Sequence, residues 1–146
     1  MTPKTDTAAY IIRKATAADR NFIFATWLRG LYYGDTWFNR ISKPIFMENY
    51  HKIIERLIDN PNTVVRVACL ADDNDVILGY SVSRILNFGN NVAVVDWVFV
   101  KSAWRKIGIG KKLLPDQARA CTHLTTLGND IIKTKMPEII FNPFVI

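Results

Sequence analysis

The chain is poor in the residues that build metal centres and disulfide frameworks: its 146 residues include two cysteines and two histidines. Cys69 and Cys121 stand alone, one in a strand-like run and one in a run that reads as helical. Both are expected as buried apolar fillers rather than as a crosslink or a nucleophile. His51 and His123 have no cysteine or acid at ligand spacing, which assigns them to the surface or to helix packing and leaves no metal site. Long apolar runs are missing too. The best of them, Val92 to Val95 and Trp97 to Val100, are separated by Asp96 and fall far short of the roughly 20 residues a membrane-spanning helix needs. The opening residues, MTPKTDTAAY, lack the apolar core of a secretory signal. These absences predict a protein of the reducing cytoplasm without membrane association. With 49% hydrophobic residues, the length suits one domain over 1–146, with residues 1–9 as a loose tail.

Acids are also scarce, 13 against 19 lysines and arginines, for a formal net charge of +6. The surplus is local: Lys101, Arg105, Lys106, Lys111 and Lys112 share one short acid-free segment. A nucleic-acid surface would spread its cations along many phosphates, so this cluster suits a compact polyanion better, and nucleic acid is a less favoured partner.

The elements alternate without repeats. Tyr10 to Arg13 reads as a strand, and Thr16 with Asp19 resembles a capping box that opens a helix carrying Phe22, Ile23 and Trp27 inward. A second helix is expected from about Ser42 or Pro44 to Ile58, stopped at Asp59-Asn60-Pro61. Thr63 to Ala71 and Val76 to Ile85 read as a hairpin about the turn at 72–75. The most apolar strand follows, Val92 to Lys101. The spacing then predicts a helix of roughly 18 residues after Gly108 and a last short strand at Ile139 to Phe141.

Between that strand and that helix lies the stretch KSAWRKIGIGKKLL. A strand that feeds a glycine turn and then a helix presents consecutive N–H groups to an anion, and Gly108 and Gly110 let the backbone come close. Two familiar phosphate loops do not fit. The dinucleotide fingerprint needs glycine where Leu113 stands, and the ATP-binding loop needs four residues between its glycines followed by Lys-Ser/Thr.

The run Arg105-Lys106-Ile107-Gly108-Ile109-Gly110 resembles the (Arg/Gln)-x-x-Gly-x-Gly signature of the GNAT acyltransferases. The preceding VFVKSAW, the VILGY at 76–80 and the IRKATAAD at 12–19 resemble the family's strands and first helix start. The resemblance covers about residues 10–144. It implies an α/β (α+β) fold, a GNAT-like mixed and mostly antiparallel central sheet flanked by helices, here with a shortened C-terminus. It also implies acetyl-coenzyme A as co-substrate. The pyrophosphate would lie on Arg105, Lys106, Ile107, Gly108, Ile109, Gly110 and Lys111, and the pantetheine arm along the backbone of Trp97, Val98 and Val100, with Asn142 as a further contact.

Asp96 is the expected base, a lone acid in an apolar strand and on the same alternating face as Val98 and Val100. An exposed or lysine-paired acid is the competing reading. The family's usual proton-donating tyrosine is absent, since no tyrosine follows Tyr80; Tyr32 or Tyr33 is the expected substitute, with packing as the alternative for both. Pro115 should interrupt the coenzyme helix. The aromatic and basic segment from Trp27 to Phe46 is expected to meet the acceptor amine. Two functions stay open, an N-acetyltransferase and a non-catalytic coenzyme A or partner-binding module of the same fold, with nucleobase modification a third. The apolar segment EIIFNPFVI leads to the expectation of a homodimer.

Overall fold

The computed structural model describes residues 9–34, 37–87, 91–123 and 125–143. Most of the expected N-terminal tail, the centre of the connection around 88–90, and Phe144 to Ile146 lie outside the described residues. Six strands form one sheet in chain order: β1 (Tyr10–Lys14), β2 (Thr63–Leu70), β3 (Asp73–Asn87), β4 (Asn91–Val100), β5 (Ala118–Cys121) and β6 (Ile140–Phe141). The pairs β1–β2, β2–β3 and β3–β4 are antiparallel, whereas β4–β5 and β5–β6 are parallel. This is the mixed, mostly antiparallel sheet that the sequence predicts.

Helices α1 (Arg20–Tyr33) and α2 (Lys43–Asp59) cover one face. Ile23, Trp27 and Leu31 of α1 and Phe46, Ile54 and Leu57 of α2 bury against Val67, Tyr80, Val82 and Trp97. The start of α1 is fixed electrostatically. Asp19 accepts the Thr16 amide at 2.7 Å and takes the Arg13 guanidinium in a fork at 2.7 and 2.9 Å. Gly30 brings α1 close to the sheet, because a Cβ there would stand 3.0 Å from the Trp97 ring. On the opposite face the short α3 (Ile109–Leu113) inserts Ile109 and Leu113 beside Tyr10, Ala68 and Leu78. No helix among the described residues is long and apolar enough to cross a membrane.

The C-terminal third departs from expectation. In place of one long helix, α3 has five residues, then β5 pairs with β4, and a separate helix α4 (Thr126–Lys135) leads to β6. The reason is Pro115. Its ring excludes the preceding residue from helical space, and Leu114 is extended at φ −81°, ψ 142°. Cys121 therefore ends a strand instead of lying in a helix. The short strand expected at 139–141 is present at 140–141, as the sixth strand among the described residues, and α4 leads into it.

Candidate active site

The sheet opens beside β4, which runs on to Val100 while β5 ends at Cys121. Their pairing runs through Val95 and Cys121, and one further bond, from the Thr122 amide to the Val95 carbonyl at 3.1 Å, is the last rung among the described residues. At that level β4 also bulges: Val82 faces Trp97 and Ser83 faces Val95, which leaves Asp96 as the extra residue. The bulge resets the alternation. Trp97 and Phe99 join the α1–α2 face, while the α3 face takes Val100, and Ser81, opposite Val98, donates from its hydroxyl to the Leu113 carbonyl at 2.9 Å. Asp96 thus does not share the face of Val98 and Val100, as regular alternation would have it.

Beyond the bulge, β4 offers a free backbone edge to the opening. Lys101 donates its amide to Leu78 of β3 at 2.8 Å, so alternation turns the backbones of Trp97 and Phe99 toward β3 and those of Val98 and Val100 toward the opening. Val98 is 39% exposed. The Val100 carbonyl is taken by Arg105, whose Nε donates to it at 2.9 Å and pins the loop to the strand. Of the three strand residues expected at the pantetheine, Val98 and Val100 face the opening through their backbones and Trp97 does not.

At the mouth of the opening the loop turns through two left-handed residues, Lys106 at φ 71° and Gly108 at φ 91°. A side chain at Gly108 would meet no atom within 4 Å, and one at Gly110 only the Val100 methyl at 3.8 Å. The glycines therefore keep open space in front of the α3 amides. A cavity of about 480 Å³ adjoins them, lined by Arg66, Gly108, Lys111, Lys112, Pro115 and Gln117 among others. Lys112 lies over the Tyr10 ring at 5.4 Å and Lys101 over Phe22 at 5.5 Å, which anchors two of the five cations. The donor set, an exposed amide edge leading to a glycine loop ringed by cations, fits a narrow thiol arm ending in a pyrophosphate.

The apex of the opening holds a buried polar chain. Asp96 is fully buried and receives Arg84 Nε at 2.7 Å and Nη2 at 2.8 Å, and Thr122 donates its hydroxyl to Oδ1 at 2.8 Å. Thr122 Oγ1 lies 2.9 Å from His123 Nδ1, and His123 Nε2 lies 3.2 Å from the Tyr50 hydroxyl. The acid is therefore not the isolated strand carboxylate its sequence context suggests; a guanidinium fork and a hydroxyl occupy both of its oxygens. Burial holds the His123 imidazole below its usual basicity, opposed by the charge of Asp96, and burial raises the Tyr50 phenol. Trp27 stacks on Trp97 with ring centres 5.6 Å apart and meets His123 edge-on at 5.9 Å.

The other expected residues lie elsewhere. Tyr32 is buried and gives its hydroxyl proton to the Ile41 carbonyl at 2.9 Å, while Tyr33 is exposed beneath Lys43. Asn142 extends the β5–β6 edge, its amide bonded to the Cys121 carbonyl at 2.8 Å. Sequence reasoning missed Arg84, Thr122, His123 and Tyr50. The available signal was the Thr-His pair just after an alternating Ala118 to Cys121, hidden when that run was read as helix.

The model of the acetyltransferase (GNAT) family matches residues 27–127. Among solved structures, the chain is similar to a putative acetyl transferase from Pyrococcus furiosus, with 18% identity, a TM-score of 0.61, and 91% of this chain and 81% of that one covered. It is also similar to a possible acetyltransferase from Clostridium difficile 630, with 13% identity, a TM-score of 0.53, and 92% and 79% covered. No curated protein matches the chain.

Proposed function

The chain belongs to the GNAT acetyltransferase family, and from that premise we propose that it uses acetyl-coenzyme A to acetylate an amine of a small molecule or protein in a ternary complex. The observation that carries this reading is the edge of β4 left open beyond its pairing with β5, with a cationic, left-handed glycine loop following it. The free backbone of Val98 holds the pantetheine arm. The amides from Gly108 to Lys111, with the side chains of Lys106 and Lys111, receive the pyrophosphate, and Arg105 fixes the loop to Val100. Bound there, the co-substrate supplies an activated thioester carbonyl.

The protein's own contribution is placement, exclusion of water and proton management. Trp27 and Trp97 wall the apex and the buried Arg84–Asp96 pair stiffens it, so Asp96 acts by fixing Thr122 and the bulge. The acceptor enters past the aromatic and basic surface of the α1–α2 connection, where Arg40 lies over Trp37 and Lys43 over Tyr33. The free, buried Cys69 and Cys121 suit a reducing compartment such as the cytoplasm. A second copy would pair at the β6 edge, where Ile140 and Phe141 are exposed. The test is incubation with acetyl-coenzyme A and a panel of primary amines, read by mass spectrometry. An acetylated amine supports the proposal. Tight binding of acetyl-coenzyme A without an amine product favours a non-catalytic module instead.

A further inference from the structure

We propose that His123 is the base of this reaction and that the Tyr50 hydroxyl hands it the proton of the acceptor amine. The inference rests on the transferase reading above and assigns its proton path. The hydrogen bonds order the protons in one way. Arginine can only donate, so both Asp96 oxygens accept, and the Thr122 hydroxyl spends its single proton on Oδ1. Thr122 Oγ1 can then only accept at 2.9 Å, which requires the proton of a neutral His123 to sit on Nδ1. Nε2 keeps its lone pair, and the Tyr50 hydroxyl donates to it at 3.2 Å.

Position supports the role as much as proton order does. His123 follows directly on Thr122, the last of the described residues bonded across β4 and β5, so it stands where the opening begins. Tyr50 reaches it from α2, on the side where the α1–α2 connection would admit an acceptor, with Phe46 stacked on it at 5.1 Å and Phe38 edge-on at 5.3 Å. The groups facing the imidazole are Tyr50 from α2, Trp27 from α1 and Asp96 of β4, through Thr122 and through its own backbone and charge, with Arg84 of β3 behind it. Burial keeps the imidazole neutral and the phenol protonated, so Tyr50 relays the proton while His123 stores it.

The amine nitrogen forms a bond to the acetyl carbonyl carbon and gives a proton to Tyr50 Oη as the phenol's own proton passes to Nε2. The carbon–sulfur bond breaks and the thiolate leaves with the bonding pair. The imidazolium then returns its proton through Tyr50 to the thiolate, which departs as the thiol.

Two measurements on the full chain test the proposal. Nitrogen-15 shifts of the histidine rings should show His123 neutral and protonated on Nδ1 at pH 7. An Nε2–H form or a cation at that pH overturns the proton order. The second measurement uses acetyl-coenzyme A with an alkyl diamine, an arylethylamine, a hexosamine and a lysyl peptide. Tyr50→Phe should lower kcat about tenfold or more and His123→Gln about a hundredfold, the latter also losing the acidic limb of the kcat/KM profile. Both should keep the rise in melting temperature that acetyl-coenzyme A gives. Tyr50→Phe preserves the ring packing, so wild-type turnover in that variant overturns the relay even if His123→Gln fails to fold. A wild-type chain that binds acetyl-coenzyme A but acetylates none of the amines overturns the transferase reading, and the catalytic role of His123 falls with it while the proton order stands.

Discussion

Arg84 and Asp96 hold each other out of water, at 2% and 0% side-chain exposure, and their consequences are best seen one residue at a time. Removing one partner leaves a buried charge without its counterion, so Arg84→Met should cost about 3–5 kcal/mol in chemical denaturation, while the doubly apolar Arg84→Met/Asp96→Leu should recover much of that. A single variant as stable as wild type would deny the pair its structural role. His123 makes a separate prediction about acid. Its folded pKa is held below the ordinary value of about 6.5. Between the two values the unfolded chain binds more protons, so stability rises with pH. The neutral ring's contribution is complete above about pH 6.5 and fades as pH falls through the lower, folded value. Unfolding followed between pH 7 and 5 should show a shallower loss in His123→Gln than in wild type.

At the level of elements, the turn at Gly108 is demanded by backbone rather than by space. Its φ of 91° is left-handed, yet a Cβ there meets nothing within 4 Å. Gly108→Ala should therefore cost only the conformational strain, roughly 1–2 kcal/mol by thermal or urea unfolding. A larger loss would indicate packing that the open space does not show. The same loop shows what was legible in the sequence. Its glycines, its cations and the apolar strand before it are local signals, and they mark the turn that the structure sets after β4. The buried apex was not legible, because it is assembled across the sheet: Arg84 and Asp96 meet through antiparallel pairing, and the bulge at Asp96 turns that side chain away from the face that simple alternation assigns. Pro115 was read as a kink in one helix. Its effect on Leu114 is stronger and frees Ala118 to Cys121 to become β5, which carries Thr122 and His123 to the apex.

For the whole molecule, the glycine loop on the α3 side and the Asp96–Thr122–His123–Tyr50 chain on the α1–α2 side lie along the same strand, β4, beyond the end of its pairing with β5. The exposed Ile140 and Phe141 at the β6 edge bear on assembly. Sedimentation at micromolar concentration should give a dimer, and Ile140→Lys/Phe141→Lys should shift it to monomer; a wild-type monomer would remove the edge as an interface. The central claim, that the cationic glycine loop receives acetyl-coenzyme A, is tested most directly by the melting temperature with and without that compound, in wild type and in Gly108→Val. Near about 100 times its dissociation constant, a ligand that binds only the folded chain adds roughly 2.7 kcal/mol. The account predicts a clear rise in wild type and none in Gly108→Val, whose side chain fills the space in front of the α3 amides. An unchanged wild-type melting temperature in millimolar acetyl-coenzyme A, or an equal rise in both proteins, would contradict it.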